Sequence, residues 1–178
     1  MPEVALRQLR KSDLPLLLAW AHIKEVWRHL PTSRRNENLT WDKHWKWWKS
    51  REKRIDFVIE VKTNSYGYRP VGVVMVNLES QELGIYIGET NLWSQGIGRQ
   101  ALAMAMDTMI TNDGWNYFWA VIHPRNKRSK RLFQSLGFQK TGPGRSGQEK
   151  YEYSFGRPTV PVPEYQVGSR PSYQPSLI

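Results

Sequence analysis

Chemistry first becomes legible between positions 82 and 112. An apolar segment, Glu82 to Ile87, leads into Trp93-Ser94-Gln95-Gly96-Ile97-Gly98-Arg99, and this loop opens onto a helical pattern. Glycines let backbone N–H groups approach a phosphate closely, and a helix N-terminus adds partial positive charge. Arg99 could add a countercharge. The junction is therefore an anion cradle. It is not a P-loop, because no Lys-Ser/Thr follows the glycines. Nor is it a dinucleotide fingerprint, which follows the first strand–helix turn and has an acidic residue about 20 positions on.

The elements that must hold this cradle follow from residue periodicity. Val4 to Arg10 is expected as a strand. Ser12 is a plausible N-cap for a short helix, Leu14 to Ala21, with Asp13 near its start and Pro15 in the first turn. Pro31 to Leu39 is a polar loop. Thr40 can cap a second helix reaching about Arg51, in which Trp41, His44, Trp45 and Trp48 share one face and Lys43, Lys46 and Lys49 the opposite one. On that spacing Trp41, Trp45 and Trp48 belong to the core, and Trp47 is the exposed member. Phe57 to Val61, Val71 to Leu78 and Glu82 to Ile87 are expected as an antiparallel meander, with a turn in 64–68. The helix after the glycine loop buries Leu102, Met106, Met109 and Ile110. Tyr117 to His123 is a strand, Asn126 to Leu136 a basic helix stopped by Gly137, and Lys150 to Phe155 a final strand.

Residues 156–178 hold five of the 11 prolines and show no period. The expected organisation is one domain over 1–155 and a Pro-rich flexible tail over 156–178.

Composition narrows the function. The chain has 178 residues and no cysteine, which excludes disulfides, thiolate catalysis and Cys-ligated metals. No metal site is expected. No apolar run approaches the roughly 20 residues of a membrane span, so a cytoplasmic protein without a membrane partner is expected. The net charge of +10 points to an anionic ligand or partner: a polyphosphate cofactor, nucleic acid or an acidic acceptor.

A second pattern, His123-Pro124-Arg125-Asn126-Lys127-Arg128-Ser129 followed by Leu132-Phe133 and Leu136-Gly137-Phe138, gives the first its meaning. The glycine loop resembles motif A of the GNAT acetyltransferase superfamily, and the Asn-x-x-Ser helix ending in Leu-Gly-Phe resembles motif B. The order and spacing match, over about half the chain. Ile87-Gly88-Glu89 to Leu92-Trp93 is similar to aminoglycoside-type members. Pro-x-Asn-x-x-Ser is similar to those that acetylate ribosomal-protein N-termini.

The resemblance implies a mixed α/β fold: a mostly antiparallel twisted sheet of about six to seven strands, flanked by about four helices and split in a V between two parallel neighbours. It implies acetyl-CoA as donor, lying between the strands that end near Ile87 and His123. Ile85 and Ile87 would line the opening. The amides of Gln95, Gly96, Ile97, Gly98 and Arg99 would take the pyrophosphate, with Asn126, Ser129 and Arg131 on the motif B side. A primary amine would then attack the thioester directly.

Two departures stand out. Trp93 occupies the first motif A position, commonly Arg or Gln. Phe133 stands where many members carry a tyrosine acid, leaving Ser129, Tyr86 or water to protonate the thiolate. Glu82 shares one side of its strand with Tyr86 and is the leading base, acting through water, with Glu89 and His123 as alternatives. The Trp-rich helix corresponds by position to the acceptor-binding region, so Trp47 and Glu89 are expected to contact the acceptor. Residues 24–54 carry ten basic and four acidic side chains, which would repel a polycationic aminoglycoside and attract an anionic acceptor. The acceptor is then a protein N-terminus or a phosphate-bearing amino compound; the alternatives are an aminoglycoside-type enzyme or a basic, Trp-interleaved protein that binds or modifies nucleic acid. A monomer or a homodimer is expected.

Overall fold

Long runs of Val and Ile with few polar interruptions need cover on both faces, and the central strands obtain it. The computed structural model describes residues 2–29, 38–63 and 67–155. The expected tail, most of the expected loop at 31–39 and most of the turn at 64–68 lie outside them. Strand β1 (Val4–Gln8) pairs antiparallel with β2 (Arg54–Thr63), β2 with β3 (Gly67–Asn77), and β3 with β4 (Leu83–Ile87). A second sheet has the order β5 (Tyr117–Ile122), β7 (Glu149–Ser154), β6 (Gln139–Pro143), again antiparallel. The two sheets meet at one parallel bridge, Glu82 to Trp119. Seven strands, split between parallel neighbours β4 and β5, match the expected architecture.

Helix α4 (Ile97–Asp113) covers one face, burying Ala101, Leu102, Ala105, Met106 and Met109 against Phe57, Ile59, Val74 and Phe118. Helix α1 (Leu14–Ala21) and α3 (Trp41–Lys49) cover the other, where Leu17 and Trp20 pack on Val58 and Val73. Two further helices, α2 (Lys24–Trp27) and α5 (Lys127–Ser135), flank the mouth of the split.

Three expectations are corrected. Ser12 is not the cap: Asp13 occupies that position, and its carboxylate takes the Arg10 N–H at 2.8 Å and the Arg7 guanidinium at 2.7 Å. Next, α3 is turned about its axis. Trp41 is 46% exposed, His44 is buried, and Trp47 and Trp48 pack against the second core cluster, so Trp47 is not the exposed member. Just past the helix, Arg51 forms an ion pair with Asp56, 2% exposed on β2. The Arg51 guanidinium lies 3.8 Å from the Trp48 ring centroid and 5.2 Å from that of Trp47. Finally, β6 and α2 carry no periodic signal and were not expected.

Candidate active site

The ladder determines which backbone groups face the split. Asn77 N–H donates to Glu82 C=O and Gly88 N–H to Val71 C=O, so even-numbered residues of this segment face β3. Odd-numbered ones face β5, as the bond from Trp119 N–H to Gln81 C=O shows. Beyond that bond the strands part, and the groups of Ile85 and Ile87 face the opening. Trp93 Nε1 donates to Ile87 C=O at 2.9 Å, which fixes the loop to the strand end. The strand closes on a flat contact: a Cβ at Gly88 would lie 2.3 Å from the Trp20 indole.

Past the strand, the chain turns through Gly96 at φ +82°, a left-handed conformation that favours glycine, and α4 begins. A groove runs from here along α5. Its lining includes Arg28, Arg99, Arg125, Lys127, Arg128 and Arg131 and no carboxylate. Arg128 stacks over Trp93, 4.0 Å from the ring centroid, so the unexpected tryptophan serves as a platform for a groove cation. Gly98 lines the groove; a Cβ there would meet Leu132 at 3.4 Å and Ile85 at 3.7 Å, ordinary contact distances. Gln95 is exposed and hydrogen-bonded to Asn91 C=O. Asn126 caps α5, its Oδ1 accepting from Ser129 N–H at 3.1 Å, and Arg131 is exposed on the same helix.

On the other side of the parted strands lies a cavity of about 430 Å³. Glu82, Ile85, Tyr86, His123, Asn126, Ser129 and Phe133 all line it, together with Trp27, Arg54 and Arg145. A smaller cavity with Tyr86, Ile87, Gly98 and Ser129 in its wall adjoins both larger ones. The expected loop, strand and helix residues, Gln95 excepted, thus line three cavities that share wall residues.

The expected catalytic groups sit as follows. Glu82 is held by the Arg145 fork, with Nη1 donating to Oε2 at 2.9 Å and Nη2 to Oε1. Tyr86 packs against Trp27 (centroids 4.9 Å) and Trp20, and burial pushes its phenol well above the usual range, so it stays protonated. Phe133 is 2% exposed and stacks edge-on with Phe138, an apolar wall rather than a proton source. Two residues expected at the acceptor stand elsewhere: Trp47 packs in the second cluster, and Glu89 accepts from Trp20 Nε1 at 3.2 Å beside Arg69. Neither is in the wall of these cavities.

One residue went unnoticed in the sequence. His29 lines all three cavities, and its ring lies 5.3 Å from that of His123. Burial, then the charges of Arg28, His123 and Arg128, lower its pKa below the ordinary histidine value. Its signal was slight: one of four histidines, after a short helix without periodicity.

Comparison with known proteins agrees with this geometry. Residues 3–139 match the family model described as an acetyltransferase (GNAT) domain. An uncharacterised protein of Methanocaldococcus jannaschii is 37% identical over 156 residues, 86% of this chain; the chain spans 31% of that relative's length. The crystal structure of a domain from the same organism superposes with a TM-score of 0.79 at 35% identity, covering 87% of this chain and all of the other. Spermidine N-acetyltransferase from Vibrio cholerae, solved with CoA and spermine, superposes with a TM-score of 0.67 at 15% identity over 84% of this chain and 92% of that one, a likeness of fold. Among the described residues no helix is long and apolar enough to cross a membrane, and no cluster of His, Asp and Glu could hold a metal.

Proposed function

The chain belongs to the GNAT acetyltransferase family, and from that premise we propose that it acetylates a primary amine carried by an anionic or neutral polar acceptor, seated in the cavity beside Glu82. The observation that carries this is the division of the split: a wholly cationic groove on one side, a mixed cavity on the other, joined at the backbone of Ile85 and Ile87.

The groove fits acetyl-CoA. Six cations face its phosphates, and the amides at the start of α4, beyond Gly96, are directed at an anion. The odd-numbered backbone groups of β4 offer a ladder edge to an extended amide-bearing arm. Bound there, acetyl-CoA supplies an activated acyl group. The chain's own residues do the rest. Phe133, Trp27 and Tyr86 give the acceptor cavity an aromatic wall. Ser129, with its N–H already satisfied by Asn126, keeps its hydroxyl for the departing sulfur. Positioning of this kind is the main catalytic contribution in a direct transfer.

The acceptor cavity supports the charge argument. Its single lining carboxylate is occupied by Arg145, and Arg54 stands nearby. A polycation would enter past Arg28, Arg128 and Arg145 with no unpaired carboxylate in the wall of that cavity to receive it. A phosphate-bearing amino compound or an acidic N-terminus suits the same field.

The test is an acceptor screen that follows CoA release with a thiol reagent, which sees no protein background because the chain has no cysteine. Glucosamine 6-phosphate, nucleotide-linked amino sugars and acidic peptides should outpace spermidine and kanamycin. A clear preference for the polycations would overturn the acceptor class and leave acetyl transfer standing.

A further inference from the structure

We infer that His29, rather than Glu82, takes the proton from the acceptor's ammonium group. The inference rests on the acetyl-transfer function proposed above and adds the residue that makes the amine nucleophilic.

Position comes first. Among the described residues only His29 and Asn126 line all three cavities. Asn126 has no titratable group, and its carbonyl oxygen is occupied by the Ser129 N–H. His29 is therefore the one titratable side chain that faces the acceptor, the groove and the junction together. The carboxylates are worse placed. Glu82, tied to Arg145, lines only the acceptor cavity and is in the wall of neither the groove nor the junction. Glu89 is held by Trp20 outside the cavities. Glu25 is exposed and lines only the smallest one.

The ring nitrogens supply the direction of proton transfer. His29 Nε2 accepts from Arg28 Nε at 3.2 Å, so its lone pair lies at that nitrogen. That bond is long and its donor is an exposed side chain, which an ammonium N–H can replace. His123 is arranged the opposite way: its Nδ1 accepts the Arg125 N–H at 3.1 Å, leaving Nε2 to carry the proton in the neutral ring. One imidazole presents an acceptor and its neighbour a donor.

The charges around His29 favour the free base. Arg28 beside it, Arg128 on α5 and His123 at the end of β5 all disfavour an imidazolium, as does burial. The ring is then the free base at neutral pH, with its lone pair available to an ammonium N–H.

The step balances. One ammonium proton passes to His29 Nε2. The freed nitrogen lone pair forms the bond to the acetyl carbon, and the C–S bond breaks with its pair left on sulfur. A second N–H proton goes to that sulfur by way of Ser129 or water, and His29 returns its own proton to solvent. The products are the acetamide, CoA thiol and one proton.

Two measurements on the full chain decide the matter. Ring NMR titration, with and without CoA, should show His29 titrating below free histidine; a value at or above it overturns the inference. CoA release is then followed across pH with the best amine of the screen. His29→Gln should lower kcat by roughly 100-fold or more and flatten the acid limb, with acetyl-CoA affinity by calorimetry falling far less than kcat, while Glu82→Gln changes kcat only a few-fold. Full turnover and an unaltered pH profile in His29→Gln overturn the inference alone. A wild-type chain that binds acetyl-CoA and releases no CoA with any amine overturns instead the acetyl transfer beneath it.

Discussion

Arg145 closes on Glu82 with both arms of its guanidinium, at the strand bridge between the two sheets. Arg145 sits in the η-turn between β6 and β7, and Glu82 is the residue just before β4, so the pair ties the acceptor cavity's floor to its wall. It also places the guanidinium 5.8 Å from the ring centroid of Trp119.

Arg145→Ala should therefore act on the acceptor and not on the donor. The pair is partly exposed, so the melting temperature should fall little, in keeping with roughly 0–1 kcal/mol for such bridges. Acetyl-CoA affinity by calorimetry should be unchanged, because Arg145 lies outside the groove. The acceptor KM should rise. A weakened acetyl-CoA affinity would show that the two cavities are not the separate binding regions described above.

Gly98 tests the cradle. A single added Cβ meets only ordinary contacts with Leu132 and Ile85, so Gly98→Ala should fold normally. Gly98→Val adds branches at a position that lines the groove. It should weaken acetyl-CoA binding by at least about 10-fold, roughly 1.4 kcal/mol. Undiminished affinity in the folded Val variant would remove the loop from the binding site.

Ser129 and Phe133 test the proton's destination. A serine hydroxyl is a weak acid, so Ser129→Ala should lower kcat only about 10- to 100-fold, at the lower end of general acid effects. Acetyl-CoA affinity should hold. Phe133 lines the acceptor cavity, and Phe133→Tyr should restore part of that loss if its new hydroxyl reaches the sulfur. Full turnover in Ser129→Ala, with chemistry rate-limiting, would pass the role to water.

The histidines predict how stability depends on pH. Burial lowers the pKa of His44, whose Nε2 has no partner, and lowers that of His29 as well. The unfolded chain then binds more protons than the folded one just below about pH 6.5, so stability is full above that value and lost as the pH falls through it. Glu149 and Glu152 act later. Lys130 and Lys140 hold the first, and Lys150 the second, down to about 2, so their contribution is lost only below about pH 4.3. Melting temperatures should drop between pH 7 and 5, and the drop should shrink in His44→Gln.

Asp56 predicts the largest change in stability. Asp56→Ala leaves Arg51 without its buried counterion beneath Trp47 and Trp48, at a cost of about 3–5 kcal/mol. Chemical denaturation should register it as a lower midpoint. A loss below 1 kcal/mol would mean that α3 is seated by its tryptophans alone.

How much of this was legible in the sequence depended on whether a residue's role is local. The glycine loop before α4, the basic helix read from Asn126 and the stop at Gly137 are written in a few consecutive residues; the structure has the loop and the stop where the pattern puts them and makes Asn126 the cap of that helix. The orientation of α3 is not local. Its inward face packs on residues of other elements, and the spacing of four tryptophans is compatible with more than one rotation. His29 follows a four-residue helix too short to show a period. β6 reads Gln139-Lys140-Thr141-Gly142-Pro143, in which only Thr141 favours a strand, and it pairs with the edge that Tyr151 and Glu152 of β7 offer.

The lone bridge between the sheets has a mechanical meaning. It is the one strand-to-strand link among the described residues, while α4 packs on both sheets, and a strut laid across the gap would add a second backbone link. An extended arm seated on the Ile85 and Ile87 edge would be that strut, completing a continuous seven-strand surface from two separate ones. Free energy of binding would then appear as rigidity far from the ligand, in the amides of β5 and β7 as much as in the groove. Fragments that fill the phosphate end alone would bind without that stiffening, so slowed amide exchange in β7 would distinguish a ligand that bridges the sheets from one that merely rests on the first.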